Sequence, residues 1–141
     1  MLTKYVNGYQ HFGIPTNNIE ATENFYLSLG FQKKWNTVYQ GSKVRFFEYG
    51  NIIVETYEKD GKAAGIRGAI DHIALNCTDI EACTKEAITE GFKIVEGPCF
   101  LPYWEYGVKY ICIEGPNKEI IEFIQKFKTE EEGRKAVENC G

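Results

Sequence analysis

The run beginning at His11, HFGIPTNNIEATENFYLSLGF, is matched without a gap by the run beginning at His72, HIALNCTDIEACTKEAITEGF. Histidine, the tripeptide Ile-Glu-Ala and a closing Gly-Phe fall at the same offsets in both copies, His11 to Phe31 and His72 to Phe92. The chain has 2 histidines in all, and each opens a copy. A chain of 141 residues duplicated in this way is one domain, or two small modules that share a core.

The periodicity within each copy predicts the same series of elements twice. Tyr5 to Pro15 reads as a strand that stops at a proline. Thr16, Asn17 and Asn18 are N-cap candidates for a helix in which Ile19, Thr22, Phe25, Tyr26 and Leu29 recur at helical spacing. Gly30 sits where a C-cap glycine belongs. Three strands follow: Phe31 to Tyr39, Val44 to Tyr49 and, across the Gly50-Asn51 turn, Ile52 to Tyr57. After a linker over 58–68, Ala69 to Asn76 is again a strand. Thr78 or Asp79 caps a helix carrying Ile80, Cys83 and Ala87, and Gly91 ends it. Phe92 to Val95 is the next strand, and Val108 to Ile113 pairs with Glu119 to Gln125 across the turn Glu114-Gly115-Pro116-Asn117. The expectation is an α+β chain of two tandem βαβββ modules, 5–57 and 69–127, that together form an open, incomplete barrel-like sheet in a single domain over 1–127. Residues 128–141 read as a short polar C-terminal helix or tail, with Thr129 and Glu132 as a capping box and Gly133 weakening it.

Composition narrows the partners. A formal charge of −4 and a pI near 5.3 argue against nucleic acid or an anionic membrane. No segment resembles a signal peptide, and no apolar run approaches the roughly 20 residues that span a bilayer. Cys77, Cys83, Cys99, Cys112 and Cys140 form an odd set without Cys-x-x-Cys spacing, which suits reduced thiols in a cytoplasmic protein.

Each module opens on a histidine and closes on a glutamate inside an otherwise apolar strand, Ile52-Ile53-Val54-Glu55 and Ile120-Ile121-Glu122-Phe123. A carboxylate amid Ile and Val is costly to bury unless it is paired or bound to a metal. A lone histidine at a strand start, or a lone strand glutamate, is most often structural. Here all four occupy repeat-equivalent positions. His11, Glu55, His72 and Glu122 therefore form a plausible N2O2 ligand set, suited to Ni, Zn, Co, Fe or Mn without selecting among them.

With this pattern the chain resembles the vicinal oxygen chelate superfamily over residues 5 to 127, and is closest in pattern to bacterial glyoxalase I (lactoylglutathione lyase). In that enzyme the metal ligands run His, Glu, His, Glu in this order. Methylmalonyl-CoA epimerases carry glutamine at the place of Glu55, and fosfomycin-resistance enzymes and extradiol dioxygenases use only His, His and Glu. The resemblance implies a metal-dependent lyase or isomerase that acts on a hemithioacetal or related 2-oxo substrate through a metal-bound enediolate. It implies Glu122 as the catalytic base and Glu55 as its symmetric counterpart, and leaves a thiol co-substrate open. It also implies a homodimer, since ligand sets of two modules often meet across a dimer interface in that family.

The chain departs from bacterial glyoxalase I at two positions that bear on glutathione: Pro15 stands where that enzyme has an arginine, and Lys59 where it has an asparagine. The stretch Gly97 to Gly107 has no counterpart in the first module and carries Phe100, Tyr103, Trp104 and Tyr106. These aromatics either form a hydrophobic lid over a substrate pocket or cap the sheet and cover a dimer seam. Cys99 has no cationic neighbour in sequence to activate it, Gly115-Pro116-Asn117 lacks the spacing of a phosphate loop, and the acidic run 130–132 suits a helix start. The alternatives are another enzyme of the superfamily, an epimerase or an antibiotic-modifying transferase, or a metal-free binding protein of the bleomycin-resistance type.

Overall fold

The computed structural model describes residues 1–138; Cys140 and the end of the expected tail lie outside the described residues. The chain divides into two compact units, one over Met1–Gly65 and one from Ile66 onward. Each contains a four-stranded mixed sheet and a helix in the order βαβββ, and no sheet closes into a barrel.

In the first unit β1 (Phe12–Thr16) is followed by α1 (Ile19–Ser28), β2 (Gln32–Tyr39), β3 (Ser42–Tyr49) and β4 (Ile52–Glu58). The strand order is β1-β4-β3-β2, with β1 parallel to β4 and the other pairs antiparallel. The crossover through α1 allows the first and last strands to pair side by side. Tyr26 of α1 stacks on Phe47 of β3 with ring centroids 5.8 Å apart, and Phe47 lies opposite Val54 of β4. Val54 and Phe47 are fully buried, so this is the helix-covered face of the sheet.

The second unit repeats the plan with β5 (Ile73–Asn76), α2 (Ile80–Thr89), β6 (Ile94–Leu101), β7 (Val108–Glu114) and β8 (Ile120–Lys126), in the order β5-β8-β7-β6. A further helix, α3 (Glu130–Glu138), follows. Ile80 and Ala87 of α2, Ile111 of β7, Phe127 and Ala136 of α3 form its core, with Phe123 packed against them.

The sequence repeat is reproduced as a repeat of local geometry. Asn18 and Asp79 are the two N-caps, with φ/ψ of −147°/93° and −150°/93°. Each side-chain oxygen accepts from the N–H three residues on, Ala21 or Ala82, at 3.0 Å. At the other end Gly30 and Gly91 take φ of 101° and 79°, the left-handed conformation that glycine adopts without a Cβ penalty.

Three boundaries differ from the sequence reading by more than two residues. β1 starts only at Phe12, and Leu2–Tyr5 is a 3-10 turn. The reason lies in Tyr9: its hydroxyl donates to the Ile53 carbonyl at 2.9 Å and lies 2.8 Å from the Ile53 N–H, so a side chain occupies the β4 groups that a longer β1 would use. β5 likewise starts at Ile73, because its partner Ile121 is only the second residue of β8. Conversely, Gly97 to Leu101 is not loop. It continues β6, with register shifts between Ile94 and Cys99 that bend the strand.

The C-terminal helix carries a modified capping box. Thr129 Oγ1 accepts from the Glu132 N–H at 3.2 Å, while Glu132 reaches back to the N–H of Lys128, one residue before the expected one, at 2.8 Å. Gly133 is no weak point there. A Cβ at that position would run into the Tyr106 carbonyl oxygen, so the helix needs glycine to lie this close to the chain.

Candidate metal centre

The fold brings the first and last strands of each unit together, and with them the histidine and the glutamate. In the first unit Gly13 of β1 lies opposite Glu55 of β4; in the second, Ala74 of β5 lies opposite Glu122 of β8. Each histidine stands two residues before that small residue and shares its face. The result is the same contact twice: His11 Nε2 to Glu55 Oε2 at 2.8 Å, and His72 Nε2 to Glu122 Oε2 at 2.8 Å.

Both glutamates lie on the sheet face away from the helices. Glu55 follows the buried Val54, and Glu122 precedes Phe123, which packs into the helical core. Alternation along a strand therefore sends each carboxylate to the opposite face. Glu122 is the more enclosed, with its side chain 10% exposed against 26% for Glu55.

Both imidazoles are also held from behind. His11 Nδ1 contacts Gln10 Oε1, and His72 Nδ1 lies 2.9 Å from Asp71 Oδ2. The hydrogen bond from His72 holds the Asp71 carboxyl below the usual range, with Arg67 adding to the effect. An oxygen acceptor on Nδ1 suits a ring whose Nε2 is given to an ion, the arrangement by which outer-shell partners orient metal-binding histidines. The sequence reading passed over Gln10 and Asp71, although the signal was present: each copy places an oxygen-bearing side chain directly before its histidine.

The surroundings of the two pairs differ. The Phe46 ring meets His11 edge-on, with centroids 5.9 Å apart. Beside Glu122 stands Cys112, its register partner on β7, whose Sγ also contacts Glu96 at 3.5 Å. Burial, followed by the Glu122 carboxylate, pushes the Cys112 thiol up to about 12, so it stays protonated.

A nitrogen and an oxygen 2.8 Å apart fit adjacent positions around a divalent ion with ligand distances of roughly 2.0–2.2 Å, since adjacent octahedral donors then lie about 3 Å apart. The donor chemistry, neutral imidazole with carboxylate, suits Mn, Fe, Co, Ni or Zn. Each unit thus holds one His–Glu pair at the separation of two adjacent metal ligands. No group of three or more His, Cys, Asp or Glu side chains converges on one point among the described residues.

The aromatic stretch separates into two parts. Phe100 stacks on Phe127 at 6.4 Å and, with Tyr106, packs against the core beneath α3. Trp104 and Tyr103 are exposed, and Lys126 Nζ lies 4.4 Å from the centroid of the Trp104 ring. Trp104 and Tyr106 line an open cavity of about 770 Å3 with Cys77, Gln125 and Glu132. Neither His72 nor Glu122 lines it.

Paired His–Glu contacts on tandem βαβββ units define a class of protein in which a duplicated fold carries duplicated donors. The sequence matches the Glyoxalase/Bleomycin resistance protein/Dioxygenase superfamily over residues 8–123, and the chain belongs to that superfamily. Solved structures share the fold at low identity. A glyoxalase family protein from Enterococcus faecalis is 19% identical with a TM-score of 0.72, covering 85% of this chain and 98% of its own. The fosfomycin resistance protein FosX from Listeria monocytogenes, complexed with Mn(II) and sulfate, is 14% identical with a TM-score of 0.66, covering 89% and 98%. TnmS3, an antibiotic-binding protein from Streptomyces sp. CB03234, is 16% identical with a TM-score of 0.69, covering 86% and 98%. No curated protein matches the sequence significantly. No helix among the described residues is long and apolar enough to cross a membrane.

Proposed function

We propose that the chain is a divalent-metal-dependent lyase or isomerase of the glyoxalase I type, acting in the cytoplasm on a hemithioacetal or related 2-oxo compound. The observation that carries this reading is the duplicated 2.8 Å contact between a histidine Nε2 and a glutamate Oε2, one in each module. His11, Glu55, His72 and Glu122 would hold the ion, which supplies Lewis-acid polarisation of two neighbouring substrate oxygens. The two modules act as one functional domain. In a homodimer, the His11–Glu55 pair of one copy combines with the His72–Glu122 pair of a second.

The remaining work falls to the side chains. Glu122 takes the proton from one substrate carbon and returns it to the neighbouring carbon, with Glu55 as the symmetric counterpart. Its enclosure favours this role, because water is kept from the group that carries the proton. The protonated Cys112 thiol beside it adds no competing negative charge. Of the aromatic candidates, the exposed Tyr103 and Trp104 are the ones available to a substrate, while Phe100 and Tyr106 pack into the core.

A second reading, an antibiotic-modifying or antibiotic-binding protein, is favoured by one local feature. Pro15, opposite Tyr57 in the β1–β4 ladder, offers no cation for a glutathione carboxylate, and the nearby Lys59 is turned over the Tyr57 ring at 5.8 Å. Isomerase activity of the metal-loaded protein on methylglyoxal hemithioacetals of glutathione and other thiols separates the readings. Thioester formation that disappears in Glu122→Gln supports the isomerase. A protein that binds metal stoichiometrically yet turns over no hemithioacetal rules it out in favour of the second reading.

A further inference from the structure

The helix starts of the two modules are copies in backbone but not in the buried side chains that tie them down. In the first, Thr16 at the end of β1 and Thr22 in α1 place their hydroxyl oxygens 2.9 Å apart, and both residues are fully buried. The repeat-equivalent residues in the second are Cys77, directly after β5, and Cys83 in α2. The N-caps between them agree to within a few degrees, and both helices start at an isoleucine, Ile19 and Ile80. The Cβ positions of the cysteines therefore follow those of the threonines.

Side chains whose terminal atoms touch have neighbouring Cβ atoms, and a disulfide needs Cβ atoms roughly 3.5–4.5 Å apart. The thiols are neighbours: burial first, then Cys77, pushes the Cys83 thiol up to about 12. Both are free, and both border the core cluster of Ile80, Ala87 and Ile111. Their access differs, because Cys77 lines the open cavity beside Trp104 and Gln125, which Cys83 does not.

We propose that Cys77 and Cys83 form a redox-responsive dithiol, oxidised by a small-molecule disulfide to one intramolecular cross-link between the end of β5 and α2. The Cys77 thiolate attacks one sulfur of the oxidant and releases the first small thiol. The Cys83 thiolate then attacks the Cys77 sulfur of the mixed disulfide and releases the second. The protein loses two electrons and two protons; the oxidant is reduced to two thiols, which carry those protons away. The cross-link changes the wall of the cavity lined by Trp104 and Tyr106. The inference is independent of the metal reading, since neither cysteine belongs to the His–Glu pairs.

The test uses the full-length protein equilibrated with mixtures of oxidised and reduced glutathione, then acid-quenched, unfolded and alkylated. The tryptic segment 68–85 contains Cys77 and Cys83 and no other cysteine. The expected result is joint loss of both alkylations, with the segment lighter by two hydrogen atoms while Cys99 and Cys112 remain alkylated. Half-oxidation in the folded protein should fall at a glutathione ratio at least about tenfold more reducing than in the urea-unfolded chain, a shift of about 30 mV for a two-electron couple. Cys83→Thr should stop at a Cys77–glutathione mixed disulfide. The double variant Cys77→Thr/Cys83→Thr, which installs the pair the first module already uses, should fold and show no response. Wild-type protein that stops at the mixed disulfide, that stays reduced, or that closes at the same ratio folded and unfolded overturns the proposal.

Discussion

Nε2 of His72 lies 2.8 Å from Oε2 of Glu122, and only 10% of the Glu122 side chain is exposed. The matching pair in the first module keeps the same separation around a glutamate with 26% of its side chain exposed. Equal distances in unequal surroundings predict unequal energetics. His72→Ala leaves an enclosed carboxylate without its imidazole and should cost roughly 1–3 kcal/mol in the metal-free protein. His11→Ala leaves a carboxylate that water can reach and should cost under about 1 kcal/mol. Urea unfolding of the two variants checks the order, and an equal or reversed cost refutes it.

Metal loading should stabilise the folded chain by mass action. At a free concentration near one hundred times the dissociation constant, the gain is about 2.7 kcal/mol. It should be read as a rise in melting temperature on adding Mn, Ni or Zn to chelator-treated protein. His11→Ala and His72→Ala should each abolish most of the rise. A rise that survives in either variant places the ion elsewhere.

Asp71 offers a test of the support behind the ligands. Its carboxyl lies 2.9 Å from Nδ1 of His72, and that hydrogen bond holds it below the usual carboxylate range. Asp71→Ala should weaken metal binding about 10- to 100-fold without removing a ligand. Gln10→Ala, which removes only a neutral amide from His11, should have the smaller effect. Titration with a competing chelator measures both.

Gly133→Ala should destabilise, although helix propensity alone favours alanine by about 1 kcal/mol. The new methyl group would meet the Tyr106 carbonyl oxygen, and forcing α3 away from that segment should outweigh the propensity gain, for a net loss of roughly 1–3 kcal/mol. An unchanged or raised urea midpoint would show that α3 lies further from Tyr106.

The order of elements was legible because the information is local. Asn18, Asp79, Gly30 and Gly91 mark helix ends through hydrogen bonds and backbone conformations of a few residues, and the structure places all four at those ends. Strand lengths were less legible because they depend on partners remote in sequence. β1 is short because the Tyr9 hydroxyl takes the backbone groups of Ile53, and β6 is long because β7 continues beside Leu101. The same distinction holds at the site. That each histidine meets its own module's glutamate follows from the parallel β1–β4 and β5–β8 pairings, which the repeat only implied. That Phe100 stacks on Phe127 was hidden, because an aromatic residue in the core and one in a lid look alike in sequence.

The parallel pairing of first and last strands also sets when each donor pair comes into being. His11 precedes β1 and Glu55 lies in β4, so their contact waits for the most sequence-distant pairing in the module. Such late-closing contacts are the slow step for sheets of this kind. The first pair needs nothing beyond Glu58 for its ladder, whereas the second needs the chain through Lys126. During synthesis the two halves therefore mature in succession. Under the proposed combination of pairs from two copies, a nascent chain released early would carry one finished pair and would compete with full-length copies.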